Sequence, residues 1–109
     1  MFDTGARNTY IVNEVVGSLP IYELPQPQPS ALAGKMHIIR QECVILGSVE
    51  GCPVSVKARI IDNIGNDEAG CRIEVLFGAL AMQEWGINVD TKNEKLDMTH
   101  YSREFVEFK

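Results

Sequence analysis

Between Cys52 and Ile61 the chain alternates, with Val54, Val56, Ala58 and Ile60 on one side and Ser55, Lys57 and Arg59 on the other. A period of two sends successive side chains to opposite faces of an extended backbone, so this stretch is a strand with one wet and one buried face. Ahead of it lie two apolar runs, Met36-His37-Ile38-Ile39-Arg40 and Cys43-Val44-Ile45-Leu46, which read as one long strand bent near Gln41-Glu42. The turn Gly47-Ser48-Val49-Glu50-Gly51 joins the two strands into a hairpin. A chain built around such a hairpin must complete a sheet.

The other segments agree. Thr9 to Val16 is apolar and β-branched, interrupted by Asn13-Glu14, and predicts a short strand and one helical turn before Gly17. Cys71 to Phe77 is a further strand. Gly78 to Trp85 is the one convincing helix, with Leu80, Ala81, Glu84 and Trp85 at helical spacing and Gly86 as its stop. Ile87-Asn88-Val89 is a strand, and Leu96-Asp97-Met98 pairs back to it across a turn at 90–95. In the tail, Phe105 and Phe108 alternate with charges as an edge strand would. Pro25-Gln26-Pro27-Gln28-Pro29 cannot be a central strand, because proline lacks the ladder donor, and is expected to be an extended, polyproline-like loop. A proline-rich ligand for an aromatic groove is the minority alternative.

The expected fold is therefore mostly β with one short helix, a single domain over 1–109. Apolar residues at 45% and charged residues at 23% are ordinary globular values, which argues against disorder. The net charge of −5 without a Lys/Arg run argues against nucleic acid as a partner. No apolar run approaches the roughly 20 residues of a membrane span and no signal peptide opens the chain, so no membrane partner and a cytoplasmic location are expected. Cys43, Cys52 and Cys71 fit neither a disulfide framework nor a zinc site and are expected to be buried free thiols. His37 and His100 pair with nothing recognisable and are read as structural or surface residues. The acidic loop from Asp62 to Gly70 lacks the ligand spacing of a calcium loop. No metal and no cofactor are expected.

Chemistry concentrates at the front. Phe2-Asp3-Thr4-Gly5-Ala6 is a strand end running into a tight turn that displays one carboxylate. Thr4 can hydrogen-bond backbone from within the turn, and Gly5 permits a positive φ or a close backbone approach beside Asp3. An isolated carboxylate is ionised at neutral pH and is a poor general acid. Two carboxylates in contact share one proton and offer a base and an acid together, the arrangement for which the aspartic proteases are the worked case. None of Asp62, Asp67, Asp90 or Asp97 is followed by Thr-Gly or Ser-Gly, so the twin of Asp3 has to come from a second copy of the chain, related by two-fold symmetry.

These residues resemble the retroviral-type (retropepsin-like) aspartic proteases. Two separated motifs carry the likeness: Asp3-Thr4-Gly5-Ala6 followed by Thr9-Tyr10-Ile11, and Val75-Leu76-Phe77-Gly78-Ala79-Leu80-Ala81-Met82-Gln83-Glu84-Trp85-Gly86-Ile87-Asn88-Val89-Asp90. The resemblance covers nearly the whole sequence. It implies a small closed barrel-like acid-protease fold, as the half-size subunit of a homodimer, acting on a peptide or protein substrate. Asp3 would be catalytic, with Thr4, Gly5 and Ala6 supporting it and Gly34, Phe77 and Gly78 binding substrate. By position, Pro25 to Arg40 falls where the family carries its flap, a hairpin that closes over substrate, with Ala31, Ala33 and Gly34 as hinge or tip. The hairpin at 44–56 is the second candidate for the flap. Only Met1 and Phe2 precede the turn, where the family has a strand or two, and Ala79 stands where the family often has a polar residue. The alternative function is a non-catalytic dimerisation or peptide-binding domain that retains the fold.

Overall fold

The computed structural model describes residues 1–101 of the 109-residue chain. Strand β1 (Tyr10–Val12) leads into a single 3-10 turn at Asn13–Val15. Strands β2 (Ile21–Leu32), β3 (Lys35–Val49) and β4 (Cys52–Ile61) follow as two successive hairpins. Then come β5 (Val75–Leu76), helix α1 (Ala79–Trp85), β6 (Asn88–Asp90) and β7 (Lys95–Asp97). Five strands share one sheet in the order β2-β3-β4-β1-β5, and β6 and β7 form a separate two-stranded hairpin.

The alternation at 52–61 does what its period requires. Val54, Val56, Ala58 and Ile60 are buried, and β4 pairs with β3 continuously from Arg59 opposite Glu42 to Cys52 opposite Val49. Beyond β4 lies β1, parallel to it, with Tyr10 opposite Arg59 and Val12 opposite Ile61. All three residues of β1 are buried. Because neighbours on a strand face opposite ways, Tyr10 and Val12 pack with Leu32, Ile39 and Ile61, while Ile11 packs with Cys43, Ala58 and Ile60. A third cluster gathers Val54, Val56, Phe77, Ala81, Met82 and Ile87, and so seats α1 on the sheet.

Several expectations need correction. Pro25 to Pro29 is not a loop: it lies inside β2, at the outer margin of the sheet, where missing donors disrupt no second ladder. The prolines leave their mark on the pairing. Glu23 opposes Gln41 and Gln28 opposes Ile39, so five steps on β2 match two on β3, and Pro25 and Pro27 fall within that bulge. Nor does the sheet close into the expected barrel. Among the described residues β2 and β5 stand last in the order of named strands and do not pair with each other; β2 carries the prolines, and the far flank of the β5 segment is taken by Met1 to Asp3. The expected strand from Cys71 shortens to Val75–Leu76, and the turn expected from Gly47 shortens to Glu50-Gly51, with β3 running on to Val49. On α1, Ala81 and Met82 are buried whereas Leu80 is 47% exposed. The thiols are free but unequal: Cys43 is buried, Cys52 half-buried and Cys71 exposed. Phe105 and Phe108 lie outside the described residues.

Three anchors hold the periphery. Trp85 Nε1 donates to the Ser55 carbonyl at 2.9 Å and its ring stacks on Tyr101, which in turn donates its hydroxyl to the Pro53 carbonyl. Arg72 forks onto both carboxylate oxygens of Glu14, at 2.8 and 3.0 Å, and also donates to the Asp62 carbonyl. Gly78 passes so near the Asn8 backbone that a Cβ there would sit 2.1 Å from the carbonyl oxygen.

Three outcomes follow. Gly78→Ala costs about 3 kcal/mol or more through overpacking against main chain that has nowhere to go. Gly47→Ala, which meets nothing within 4 Å, stays close to wild type; urea midpoints at unchanged slope measure both. The hydrogen bonds from Arg72, and then its charge, hold the Glu14 carboxyl below the usual range. A carboxyl lowered in the folded state stabilises above its unfolded pKa, and that contribution vanishes as pH falls through the lowered value. Glu14→Gln therefore flattens the acid limb of stability against pH without moving the neutral plateau much, since the pair is exposed.

Candidate active site

The Asp3 turn is held from behind by the strand that ends at Gly78. Val75 to Phe77 runs between two segments: β1 on one side, antiparallel, and Met1 to Asp3 on the other, parallel. On the second side the Phe77 N–H donates to the Met1 carbonyl at 2.7 Å, and the Asp3 N–H donates to the Phe77 carbonyl at 3.0 Å. The rings of Phe2 and Phe77 lie 5.0 Å apart, centre to centre. Met1 and Phe2 thus serve as a minimal strand in front of the turn.

Past Phe77 the same chain reaches under the loop. The Gly78 N–H donates to the buried Thr9 Oγ1 at 3.0 Å. The Ala79 and Leu80 N–H groups donate to the Ala6 and Arg7 carbonyls at 2.7 and 3.1 Å. A helix start leaves N–H groups without intrahelical partners, and α1 has no side-chain cap; the carbonyls of the candidate catalytic loop take that place. Loop and helix satisfy each other, which explains the close contact that only glycine permits at position 78.

The turn itself is closed by the Ala6 N–H donating to the Asp3 carbonyl at 3.2 Å. Asp3 Oδ1 accepts the Gly5 N–H at 2.8 Å. Gly5 does not adopt a positive φ; of the two options open to it, the structure uses the close approach, since a Cβ there would lie 3.2 Å from Oδ1. Asp3 is half-buried and borders a cleft of about 680 Å³. The cleft is lined by Asp3, Gly5 and Ala6 together with the stretch from Pro29 to Ala33, the end of the β2–β3 hairpin. Behind the cleft the Tyr10 hydroxyl and Ser30 Oγ form a buried 2.6 Å hydrogen bond that ties hairpin to sheet.

Of the two hairpins weighed as a flap, the one within 25–40 is beside Asp3. Its tip is Ala33-Gly34, both in left-handed conformation, and Ala31 and Ala33 line the cleft whereas Gly34 does not. The tip of the other hairpin is at Glu50-Gly51, next to the cluster of Val49, Val54 and Phe77. Phe77 is 8% exposed within that cluster and Gly78 is wedged against Asn8, so in a single chain both brace the turn from behind and neither walls the cleft. Thr4 is exposed, lines a separate hollow with Met82 and Ile87, and makes no side-chain hydrogen bond among the described residues.

Outside the Asp3 turn and the Pro25–Arg40 flap candidate, the cleft is lined by Arg7, Asn8, Tyr10, Arg59 and Leu80, which sequence reasoning did not assign to the site. Arg59 could have been found, because it occupies the wet face of the alternating strand directly across from Tyr10. Ser30 lies within Pro25–Arg40, the first flap candidate, but carried no signal of its own. Among the described residues no group of three or more His, Cys, Asp or Glu side chains is arranged to hold a metal ion. Comparison with family models, curated proteins and solved structures finds no match to this chain.

The hydroxyl pair is open to a double-mutant cycle. Tyr10→Phe and Ser30→Ala each cost about 1–2 kcal/mol by stranding a buried polar partner, and the double variant costs clearly less than the sum. Equal and additive losses in urea titrations show that the two hydroxyls are not coupled.

Proposed function

We propose that this chain is an aspartic endopeptidase that acts as a homodimer, the two Asp3 carboxylates sharing one proton across a two-fold axis. In that state one carboxylate takes a proton from a water molecule as it attacks a peptide carbonyl, and the other protonates the carbonyl oxygen. The substrate is an extended peptide lying between the Asp3 turn and the β2–β3 hairpin, which excludes water when it closes. The retropepsin-like acid-protease fold belongs to the same proposal.

The single observation that carries it is the mounting of Asp3. A half-buried carboxylate lines a cleft shared with a hairpin end, on a turn whose backbone is hydrogen-bonded to a strand behind it. An ordinary solvated Asp-Thr-Gly turn has no need of such support. Preorganisation of this kind is what a reacting group requires, since displacements of about 1 Å cost large factors in rate. The exposed, unbonded hydroxyl of Thr4 beside it is available to a symmetry mate.

A second reading, a dimerising or peptide-binding domain without catalysis, is favoured by one fact: among the described residues the sheet does not close into the barrel expected of the protease fold. The two readings separate cleanly. Asp3→Asn abolishes cleavage of a peptide library while sedimentation and unfolding midpoint stay at wild-type values. Refolding wild-type and Asp3→Asn chains together in equal amounts leaves roughly a quarter of the activity of the same total of wild-type chain, because random pairing makes only that share of pairs with two carboxylates. An Asp3→Asn chain that cleaves normally, or a mixture that retains half the activity, overturns the shared dyad.

A further inference from the structure

Beyond the reaction itself, the cleft carries a charge pattern that bears on what enters it. Arg7 and Arg59 both line it, set against the one carboxylate of Asp3. Neither guanidinium belongs to an ion pair among the described residues, whose salt bridges are Lys57–Glu42 and Arg72–Glu14. This stands out in a chain with a net charge of −5.

Arg59 is the more telling of the two, being half-buried. Its backbone is fixed next to the Asp3 loop, with its N–H donating to the Thr9 carbonyl at 2.9 Å. One terminal nitrogen, Nη2, donates to Gln28 Oε1 on the hairpin at 3.3 Å. A guanidinium has five donors in a planar fork, so most of them are left over. Glu42, directly opposite on β3, does not take them; its carboxylate is 3.8 Å from Lys57 Nζ. A partly desolvated cation without a counter-ion is costly, and a carboxylate is the group whose geometry matches the fork in bidentate fashion. Arg7 adds a second, exposed donor from the loop that follows Asp3, with Asn8 between it and Thr9.

We infer that Arg7 and Arg59 form an acidic-residue subsite, so that the preferred peptides carry Asp or Glu in the part that lies beside Asp3. This rests on the proposal that the cleft binds peptide, but not on whether Asp3 cuts it. The arginines select and position; they do not take part in proton transfer.

The experiment uses a proteome-derived peptide library in two arms. In the first, wild-type chain digests the library and the cut sites are read by mass spectrometry. Asp and Glu are enriched about tenfold at one position near the cut, the discrimination expected of one charge-assisted, hydrogen-bonded pair. Charge reversal by Arg7→Glu with Arg59→Glu turns the preference toward Lys and Arg. Where the double variant does not fold, Arg7→Glu alone, at an exposed position, weakens the acidic preference. Cleavage without acidic enrichment, or a profile indifferent to these variants, overturns the subsite and leaves the protease reading standing. In the second arm, immobilised Asp3→Asn chain captures peptides from the same library. If nothing is cut, acidic enrichment among captured peptides keeps the subsite and defeats the protease reading, and capture without enrichment defeats both.

Discussion

The structure depends on one strand threaded between two others. Val75 to Phe77 has Met1 to Asp3 on one flank and β1 on the other, and its extension through Gly78 gives an N–H to Thr9 and hands the helix start to the loop carbonyls. The chain thereby joins residues more than sixty positions apart in sequence around a single turn. Buried backbone groups must find partners, and here the partners available to the loop and to the helix start are each other. Asp3 is placed by main-chain geometry, which is stiffer than any side-chain scaffold.

The hairpin that shares the cleft is built on another principle. Strand β2 shares only the β3 ladder, interrupted by a bulge, yet Leu32 and Ile39 near its tip are buried in the cluster with Tyr10 and Ile64. The hairpin is thus pinned near its tip and loosely paired further back, with the Tyr10–Ser30 bond beneath it. On the proposed function, closing over substrate has to work against these contacts. Apolar Pro29 and Ala31 and charged Arg7 and Arg59 all line the cleft, so a bound peptide would meet both greasy and ionic surfaces.

Much of this was written locally. The alternation at 52–61, a turn within 47–51, the 3-10 turn after Val12 and the helix ending at Gly86 all came from period and punctuation, which are properties of neighbouring residues. Asp3 could be singled out by its turn chemistry. What escaped were the long-range facts. Phe77 and Gly78 were marked as substrate contacts by the resemblance alone, and no local pattern shows that Phe77 packs in the core while Gly78 lies against Asn8. Leu80 looked like core by helical spacing, yet the cleft lies on its side of α1. The Pro25–Pro29 strand escaped because proline argues against strands in general, and only the sheet order shows that this one lies at an end. Arg7 and Arg59, fifty-two positions apart, meet at the cleft only because β4 runs beside β1.

The prolines of β2 have one more consequence. A long outer strand with apolar neighbours such as Ile21, Tyr22, Met36 and Ile38 exposed nearby would ordinarily invite foreign strands to stack upon it and seed fibres. Three imino nitrogens in five residues break the row of donors that such stacking copies from chain to chain. The hairpin can therefore project its greasy side chains into water without becoming a template for aggregation.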